Sequence, residues 1–271
     1  MSDAPFRDNV VVLTGASAGI GREMALQLAR QGAVLVLAAR DAAKLGEVAD
    51  ACRALGAKAT AVPTDVADEA QCRALVERAV AEHGRIDTLV NNAGIGMWAR
   101  FDEMKALEPF ERIMRVNYLG SVYPTFYALP HLKRTRGRIV AVNSLTGLTG
   151  VPTRSGYAAS KHAVTGFFGS IRIELEDSGV TVTQVFPGFV ATEIRERAFG
   201  PDGRPLGEGN SPVREKEVMS AEECARQIID AAARRKRDVI MTLRGKIGAK
   251  LKLISPTLVD RIAKKAIAQG K

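Results

Sequence analysis

Cysteine is scarce in this sequence, and its positions follow no regular spacing. Cys52, Cys72 and Cys224 form no C-x-x-C pair, and an odd number cannot complete a disulfide framework. The sequence therefore predicts neither structural disulfides nor a zinc site, which fits a reducing compartment. Histidine is equally rare, with three residues in the chain, and we expect no metal.

Long apolar runs are lacking as well. No stretch approaches the ~18 consecutive apolar residues of a membrane-spanning helix. The first nine residues are short and polar, so we expect no secretory signal. These features predict a cytoplasmic protein. A chain of 271 residues, 46% of them hydrophobic, is long enough for one α/β domain with a substantial core.

Several candidate ligand positions lie at the ends of predicted strands. Short apolar runs alternate with helical patterns, which predicts a parallel sheet covered by helices on both faces. Ligands of such sheets bind beyond the carboxyl ends of the strands. The positions that fall at those ends are Gly15, Ala39, Asp65, Asn91 and Ser144. We therefore predict one ligand site along this edge of the sheet.

A glycine-rich loop, residues 15–21, follows the predicted strand 10–14 and precedes a helical pattern. In this context such a loop binds phosphate, because its backbone can approach a pyrophosphate and the helix N-terminus offers free N–H groups. The spacing is G-x-x-x-G-x-G, not the commoner G-x-G-x-x-G. A tight structural turn is the alternative.

The end of the second predicted strand indicates which dinucleotide the loop would hold. An acidic residue at this position binds the ribose 2′-hydroxyl of NAD. Here the position is Ala39, followed by Arg40, and an arginine can pair with the 2′-phosphate of NADP. Ser17 in the glycine loop could add a hydroxyl contact. We predict a preference for NADP(H), with NAD(H) possible, and a surface role for Arg40 beside Asp41 is the alternative.

Ser144, Tyr157 and Lys161 form a candidate proton-transfer group. Tyr157 and Lys161 are four residues apart on one face of a predicted helix, and Ser144 ends the predicted strand before it. A free tyrosine, with a pKa of about 10, is a poor acid or base near neutral pH. A lysine ammonium one turn away favours the phenolate, so we expect a lowered pKa for Tyr157. Alternatively, Tyr157 merely packs and Lys161 is solvated.

Other segments carry weaker signals. Asp65 either caps the next helix or contacts an adenine, and capping is the commoner role. A helix is predicted over 108–129, with Asn117 at its middle in a polar role or facing solvent. Residues 193–219 are rich in glycine, proline and charge, which is typical of a lid or binding loop. Ser220 is the expected N-cap of a following helix, and a last strand is predicted over 238–243.

Together these residues resemble the short-chain dehydrogenase/reductase family, in its short, single-domain branch. The resemblance covers residues 8–243, and the motifs occur in the order and near the spacing of that family. They are Thr14-Gly15-x-x-x-Gly19-Ile20-Gly21, Asn91-Asn92-Ala93-Gly94, Asn117, Ser144, Tyr157-x-x-x-Lys161 and Pro187-Gly188. Each motif is moderately specific alone, whereas the set is highly specific.

The resemblance implies a Rossmann-type fold, a doubly wound parallel sheet in a three-layer αβα sandwich, with a nicotinamide cofactor. It makes Tyr157 the acid/base, Ser144 the group that binds the substrate oxygen, and Lys161 the group that binds the nicotinamide ribose and lowers the tyrosine pKa. Asn117 would hold a water in a proton relay. The implied cofactor-binding residues are Gly15, Ser17, Gly19, Ile20, Gly21, Arg40, Asp65, Val66, Asn92, Ala93, Gly94, Tyr157, Lys161, Pro187, Gly188 and Thr192.

The implied activity is hydride transfer between the nicotinamide and a ketone or secondary alcohol. Many NADP members of the family carry a second basic residue in the glycine loop, where this chain has Ala18, so the predicted preference rests on Arg40. The implied partners are the small-molecule substrate and further copies of the chain, in a homodimer or homotetramer built through helices at 108–129 and 157–177. The alternative is a non-enzymatic nicotinamide-binding sensor or scaffold, which leaves the proton donor unexplained.

The C-terminal tail, residues 244–271, extends beyond the domain predicted over 1–243. Residues 234–271 have a net charge of +10, whereas residues 1–233 have a net charge of −1. The residue pattern of the tail predicts a basic amphipathic helical extension, in which a helix begins at Pro256. Such a segment can lie on an anionic membrane surface, which would make the protein peripheral at a membrane and favour a lipophilic substrate. Packing on the domain, on a second subunit or over the pocket is the commoner fate. The tail has no aromatic residue to stack on bases, so we expect no nucleic-acid partner.

Overall fold

The computed structural model describes residues 4–207 and 218–268. Seven parallel strands form one sheet in the order β3-β2-β1-β4-β5-β6-β7. They are β1 (Val10–Thr14), β2 (Val34–Ala39), β3 (Ala59–Pro63), β4 (Thr88–Asn91), β5 (Arg138–Val142), β6 (Thr181–Phe186) and β7 (Asp238–Ile240). The order runs outward from β1 to β3 and then returns to β4, which opens a crevice at the carboxyl edge. The predicted Rossmann-type, doubly wound parallel sheet is confirmed.

Helices cover both faces of this sheet. They are α1 (Gly19–Arg30), α2 (Ala42–Ala54), α3 (Glu69–His83), α4 (Glu108–Ile113), α5 (Gly120–Thr135), α6 (Ser155–Glu174), α7 (Ala221–Ala233), α8 (Leu243–Ile254) and α9 (Pro256–Ala268). Side chains of α1, α2 and α7 pack on one face, and those of α3, α5 and α6 pack on the other. This arrangement is the three-layer αβα sandwich that the sequence predicts.

The central strands are buried on both sides because their residues are apolar on both sides. Along β1, Val11 and Leu13 belong to one core cluster and Val12 to the other, so successive side chains enter opposite layers. Continuous valine and leucine runs are typical of parallel strands with both faces covered. The buried strands hold the edge loops, which carry the candidate site residues, on a rigid frame.

The N-caps of two helices can be compared with the predicted ones. The Ser220 hydroxyl accepts a hydrogen bond from Glu223 N at 3.1 Å and caps α7, as predicted. The cap of α3 is Asp68, whose carboxylate accepts from Gln71 N at 3.1 Å. The Asp65 carboxylate accepts from Ala67 N at 3.0 Å and turns the loop before the helix. The capping role considered for Asp65 is therefore wrong, because Asp68 already fills it.

The helix predicted over 108–129 is longer and is not uniform. It comprises α4, a π-helical turn at Met114–Leu119, and α5, which continues to Thr135. Arg136 then adopts a left-handed conformation with a φ of 48°, which ends the helix. Asn117 lies in the π turn and bonds to the segment after β4, a long-range contact that the local pattern does not contain. Such π turns are frequent at functional sites.

The tail forms α8 and α9. Thr242 Oγ1 accepts a hydrogen bond from Gly245 N at 3.1 Å and caps α8, so the last strand is shorter than predicted and ends at Ile240. The Lys252 ammonium donates to Leu148 O at 2.7 Å. A methyl group on Gly245 would lie 2.6 Å from Leu145 Cδ2, so α8 packs closely on the loop after β5. In the part of the chain that the structure describes, no helix is both long and apolar enough to cross a bilayer.

Candidate active site

A cleft of about 910 Å³ opens along the carboxyl edge of the sheet. Every residue predicted to bind the cofactor lines it, together with Ser144. Those residues are Gly15, Ser17, Gly19, Ile20, Gly21, Arg40, Asp65, Val66, Asn92, Ala93, Gly94, Tyr157, Lys161, Pro187, Gly188 and Thr192. Asn91 instead points into the core, where its side-chain amide donates to Thr125 Oγ1 at 2.9 Å. The strand ends therefore meet in one place, as the alternating pattern predicts.

The glycine loop turns tightly into α1. Gly15 and Gly19 have φ values of 65° and 52°, in the left-handed region where a side chain is strained. A methyl group on Gly21 would lie 2.0 Å from Gly15 O, so only glycine fits there. Ala18, at the N-cap of α1, makes no side-chain hydrogen bond. The N-terminal N–H groups of α1 therefore lack a side-chain cap and face the cleft, which fits a phosphate.

The Asn-Asn-Ala-Gly segment after β4 holds the glycine loop in place. The Asn92 side-chain amide donates to Thr14 O at 3.0 Å and to Gly15 O at 3.2 Å. In return, the Thr14 hydroxyl accepts from the backbone N–H groups of Asn92 and Ala93, at 3.0 and 3.1 Å. These bonds join two strand ends that are adjacent in the sheet but 78 residues apart in the chain.

The two charged residues that follow β2, Asp41 and Arg40, have different surroundings. Asp41 is the N-cap of α2, and its carboxylate accepts from Lys44 N at 3.0 Å. Arg40 is exposed at the cleft wall. Among the described residues, no ion pair involves Arg40, and both the binding of a 2′-phosphate and the alternative of a surface role beside Asp41 stay predictions. The guanidinium is available for an anion in the cleft.

Tyr157 and Lys161 lie on the buried face of α6, and Ser144 lies at the end of β5. The Lys161 ammonium donates to Val142 O at 3.0 Å and lies 5.8 Å from the centroid of the Tyr157 ring. Ser144 lies close enough to Tyr157 to act on its pKa. The structure thus brings together the three groups that the sequence assigned to proton transfer. Tyr157 and Lys161 are 9% and 5% exposed, so water has little access to them.

The pKa of Tyr157 departs from the expectation. Burial, the largest cause, raises it, while the Arg154 charge and the Ser144 hydrogen bond act to lower it. Burial also lowers the pKa of Lys161 to about 8, so the ammonium loses its proton at a much lower pH than a free lysine. The predicted lowering of the tyrosine pKa by Lys161 is therefore wrong for this structure. Desolvation outweighs the nearby charges, and the cation that acts on Tyr157 is Arg154.

Asn117 lies behind the cleft and is 1% exposed. Its side-chain oxygen accepts from Ile95 N at 2.8 Å, and its nitrogen donates to Ile95 O at 3.0 Å and to Ser160 Oγ at 2.9 Å. The amide is thereby committed to the segment after β4, which lines the cleft through Ile95. Its role as the holder of a relay water stays a prediction.

The opposite wall of the cleft contains a residue that sequence analysis missed. The Arg154 guanidinium lies 3.8 Å from the centroid of the Trp98 ring, and Trp98 stacks on Phe189 with centroids 6.4 Å apart. Arg154 lines the cleft three residues before Tyr157, and that spacing along the chain was the available signal. Trp98 and Phe189 are 91 residues apart, so no local pattern predicts their stacking.

The loop predicted as a lid contributes to the same wall. Residues 193–195 line the cleft. Phe199 donates its backbone N–H to Gly96 O at 3.0 Å and accepts from Trp98 N at 2.8 Å, which pairs the loop with the segment after β4. The rest of that prediction, residues 208–217, lies outside the described residues. Within residues 4–207 and 218–268, no three His, Cys, Asp or Glu side chains could together hold a metal ion.

Comparisons with known proteins agree with this geometry. A family model described as "short chain dehydrogenase" matches residues 9–201. An 11-beta-hydroxysteroid dehydrogenase of Pinus massoniana is 36% identical over 93% of this chain and 72% of the relative. The 11-beta-hydroxysteroid dehydrogenase-like 4A of Arabidopsis thaliana is 41% identical over 84% of this chain and 74% of the relative.

A solved structure resembles the whole fold. It is a short chain dehydrogenase/reductase of Burkholderia phymatum in complex with NAD, with a TM-score of 0.83 and 28% sequence identity. The match covers 94% of this chain and 96% of that one. The crevice at the carboxyl edge therefore belongs to a fold in which a nicotinamide dinucleotide has been observed.

Proposed function

The chain belongs to the short-chain dehydrogenase family and is an oxidoreductase of CH–OH and carbonyl groups with a nicotinamide cofactor, and from this premise we propose that it transfers hydride between NADP(H) and a ketone or secondary alcohol. The observation that carries the proposal is the meeting of Ser144, Tyr157 and Lys161 beside the glycine loop in one cleft. A sensor or scaffold would need the loop but not the buried proton donor. Two relatives named for hydroxysteroids support a lipophilic substrate.

The residues of the cleft fit a dinucleotide. The backbone of residues 15–21 would hold the diphosphate, since only glycine fits at Gly21 and the N-terminus of α1 has no side-chain cap. Asp65 and Val66 would border the adenine, and Thr192 would contact the nicotinamide amide. A bound nicotinamide supplies or accepts the hydride. Everything else in the reaction is positioning and proton transfer by this chain.

Proton transfer follows from the arrangement of the buried groups. In the direction of reduction, the Ser144 hydroxyl would hold the carbonyl oxygen, and Tyr157 would donate its proton to that oxygen as the carbon receives hydride. The raised pKa keeps the phenol protonated near neutral pH, so it is ready to act as an acid. The phenolate left behind has two cations nearby, since the Lys161 ammonium lies 5.8 Å and the Arg154 guanidinium 6.0 Å from the centroid of the Tyr157 ring.

The cofactor preference rests on Arg40. A 2′-phosphate at the end of β2 would meet this guanidinium and no opposing carboxylate, because Ala39 replaces the acidic residue and Asp41 caps α2. Arginine is suited to bidentate contact with phosphate. We infer that NADP(H) binds more tightly than NAD(H), with Ser17 as a further contact at the same wall.

The test of the proposed activity is the rate of NADPH oxidation with a panel of ketones, lipophilic ones included. We expect Tyr157→Phe to lower kcat by about 10³-fold, since general acid catalysis contributes about 10²–10⁴-fold, and to leave the NADPH affinity unchanged. Tyr127→Phe is the control, because that hydroxyl bonds to Glu69 at the surface. Full activity in Tyr157→Phe contradicts the mechanism, and NADPH binding without turnover of any ketone favours a sensor.

Oligomerisation is proposed through the two long helices. Phe126 on α5 and Ile173 on α6 are 69% and 68% exposed, so each helix has a large apolar side chain that a second subunit could cover. They lie on the helices that the family resemblance assigns to subunit contacts. We propose a homodimer or homotetramer. A sedimentation mass equal to one chain at micromolar concentration contradicts this.

A second role, docking on an anionic membrane surface, is proposed for the tail. Large apolar side chains of α8 and α9 are exposed, among them Leu253 and Ile254 at 88% and 83%. Basic residues of the same helices, such as Lys250 and Lys264, give the tail the charge that anionic lipids attract. Liposomes containing phosphatidylserine should retain the full chain and release Leu253→Ser/Ile254→Ser. Equal retention of both, or none of the full chain, contradicts the proposal.

A further inference from the structure

A cation without a counter-ion lies beside Tyr157. The Arg154 guanidinium carbon is 3.8 Å from the centroid of the Trp98 ring, 5.2 Å from that of Phe189 and 6.0 Å from that of Tyr157. Its Nε is buried and has no hydrogen-bond partner. Burial lowers the pKa of Arg154 to about 10, so the group is still charged at neutral pH. The aromatic faces hold the guanidinium plane, and its N–H edge is left without an acceptor.

A second arginine makes the same wall more positive. Arg195 lies 5.9 Å from the centroid of the Phe189 ring, on which Arg154 also lies, and its charge disfavours that of Arg154. One of its N–H groups donates to Val190 O at 2.8 Å, and the structure describes no carboxylate paired with either arginine. The two cations therefore raise each other's energy in the absence of an anion.

The acidic residues that line the cleft have other partners. Glu193 pairs with Arg197 and Lys44, and Glu108 lies 4.0 Å from Arg112. Asp41 caps α2, and Asp65 turns the loop before α3. No acidic side chain in the described part of the cleft is left to neutralise Arg154. Arg154 is half-buried, and a charge with little access to water is costly unless it is paired, so an anion from outside the chain is the remaining partner.

We propose that Arg154 binds a carboxylate of the substrate, so that the substrate is an oxo acid or a hydroxy acid. The proposal rests on the proposed oxidoreductase function, since it assigns the substrate class of the same cleft. The planar fork of arginine matches a carboxylate in a bidentate contact. The carboxylate would lie on the far side of the carbonyl from the cofactor, with Phe189 against the carbon chain between the two groups.

Substrate binding would also act on the proton donor. The charge of Arg154 is one of the causes that lower the pKa of Tyr157. A carboxylate paired with Arg154 removes much of that influence, so the phenol becomes a weaker acid in its resting state. The phenol stays protonated until hydride transfer to the carbonyl carbon places negative charge on the neighbouring carbonyl oxygen. Arg154 thus recognises the substrate, and its charge acts less on Tyr157 in the complex than in the free protein.

Trp98 makes the proposal testable without turnover, because it is the chain's single tryptophan and lies against Arg154. The protein is saturated with NADP⁺, which fills the phosphate sites, and titrated with hexanoate and with hexanamide while tryptophan fluorescence is followed. We expect hexanoate to bind at least tenfold more tightly than the neutral amide. Arg154→Met should remove this difference, and Arg154→Lys should restore part of it. Arg226→Met, a change in an exposed pair with Glu223, should have no effect.

Calorimetric titration of Arg154→Met with hexanoate distinguishes lost binding from lost signal. Equal affinity for hexanoate and hexanamide in the unmodified protein, or unchanged hexanoate affinity in Arg154→Met, overturns the proposal. Turnover measurements distinguish a failure of the carboxylate proposal from a failure of the proposed oxidoreductase function. Reduction of neutral ketones without a preference for oxo acids removes the carboxylate assignment alone. Selective binding of hexanoate without reduction of any carbonyl compound removes the enzymatic proposal and keeps the anion site.

Discussion

The two halves of the cleft are built in different ways. The cofactor half, formed by residues 15–21, 39–41, 65–66 and 92–94, consists of short backbone turns at the ends of buried strands. The substrate half, formed by Arg154, Phe189, Ile194, Arg195 and Phe199, consists of long side chains brought together from distant parts of the chain. Backbone turns leave no room for added atoms, whereas long side chains can exchange partners. The first half is thus suited to a constant ligand and the second to a selected one.

The largest expected effect tests the rigidity of the cofactor half. Gly21→Ala places a methyl group 2.0 Å from Gly15 O, so the loop must move. We expect a loss of about 3 kcal/mol in the free energy of unfolding and at least 100-fold weaker NADPH binding, measured by urea unfolding and fluorescence titration. A stable variant with full NADPH affinity would show that the loop adapts.

Two control variants complete this comparison. Gly46→Ala, on the neighbouring α2, meets nothing within 4 Å and should stabilise the protein by about 0.5–1 kcal/mol. Ile194→Ala removes side-chain atoms from the substrate half and should change the KM for a ketone while the NADPH affinity stays within about twofold. A change of NADPH affinity in Ile194→Ala as large as in Gly21→Ala would remove the distinction between the halves.

The second effect concerns Lys161, which lies where the halves meet. Its folded-state pKa of about 8 is below the ordinary value of 10.5, so between these pH values the unfolded chain binds a proton that the folded protein has lost. The stability of the cofactor-free protein should therefore rise with pH in this window, and Lys161→Met should lack the rise. The raised pKa of Tyr157 acts in the opposite sense, but only above pH 10.

This prediction is measured as a difference between the two proteins. The free energy of unfolding of both proteins is measured in urea at about pH 7 and about pH 9.5. Between these pH values, the free energy of unfolding of Lys161→Met should fall by about 2 kcal/mol relative to that of the unmodified chain. Lys246→Met, in the exposed tail, is the control and should show no such change. An equal difference at both pH values would mean that water reaches the ammonium.

The smallest effect concerns the selectivity of the cofactor half. Arg40→Ala should weaken NADPH binding about tenfold, or about 1.4 kcal/mol, and leave NADH binding unchanged, because only the 2′-phosphate would lose a partner. Side-by-side titrations with the two cofactors measure it. Arg53→Ala, which removes a charge paired with Asp50 on α2, is the control. Tighter NADH than NADPH binding in the unmodified chain would overturn the assignment of Arg40.

The same division explains what could be predicted from the sequence. The parallel sheet, the glycine loop and the convergence of Ser144, Tyr157 and Lys161 depend on local patterns, and the structure has them. Arg154 was missed because its surroundings come from Trp98 and Phe189, which no spacing connects to it. The pKa of Tyr157 was predicted in the wrong direction because the sequence shows neighbouring charges but not burial, and burial is the larger cause.

Two details of local structure were not predicted from the sequence. The π turn at Met114–Leu119 exists beside bonds from Asn117 to Ile95, 22 residues away, so helical propensity alone could not place it. Asp65 and Asp68 are both acceptable caps by residue type, and the carboxylate that reached the N–H groups of α3 was Asp68. That choice depends on bonds within three residues of each carboxylate, which residue type alone does not distinguish.

The bond from Lys252 to Leu148 joins the tail to the loop that begins at Ser144. Two binding events that favour different positions of a shared structural element are thermodynamically linked, and the linkage is reciprocal. Any shift of this loop caused by a surface that holds α8 must change the affinity of the cleft, and a filled cleft must change the affinity for that surface by the same factor. The tail and the cleft would then act as one cooperative unit, in which residence at a surface and occupancy by substrate reinforce or oppose each other.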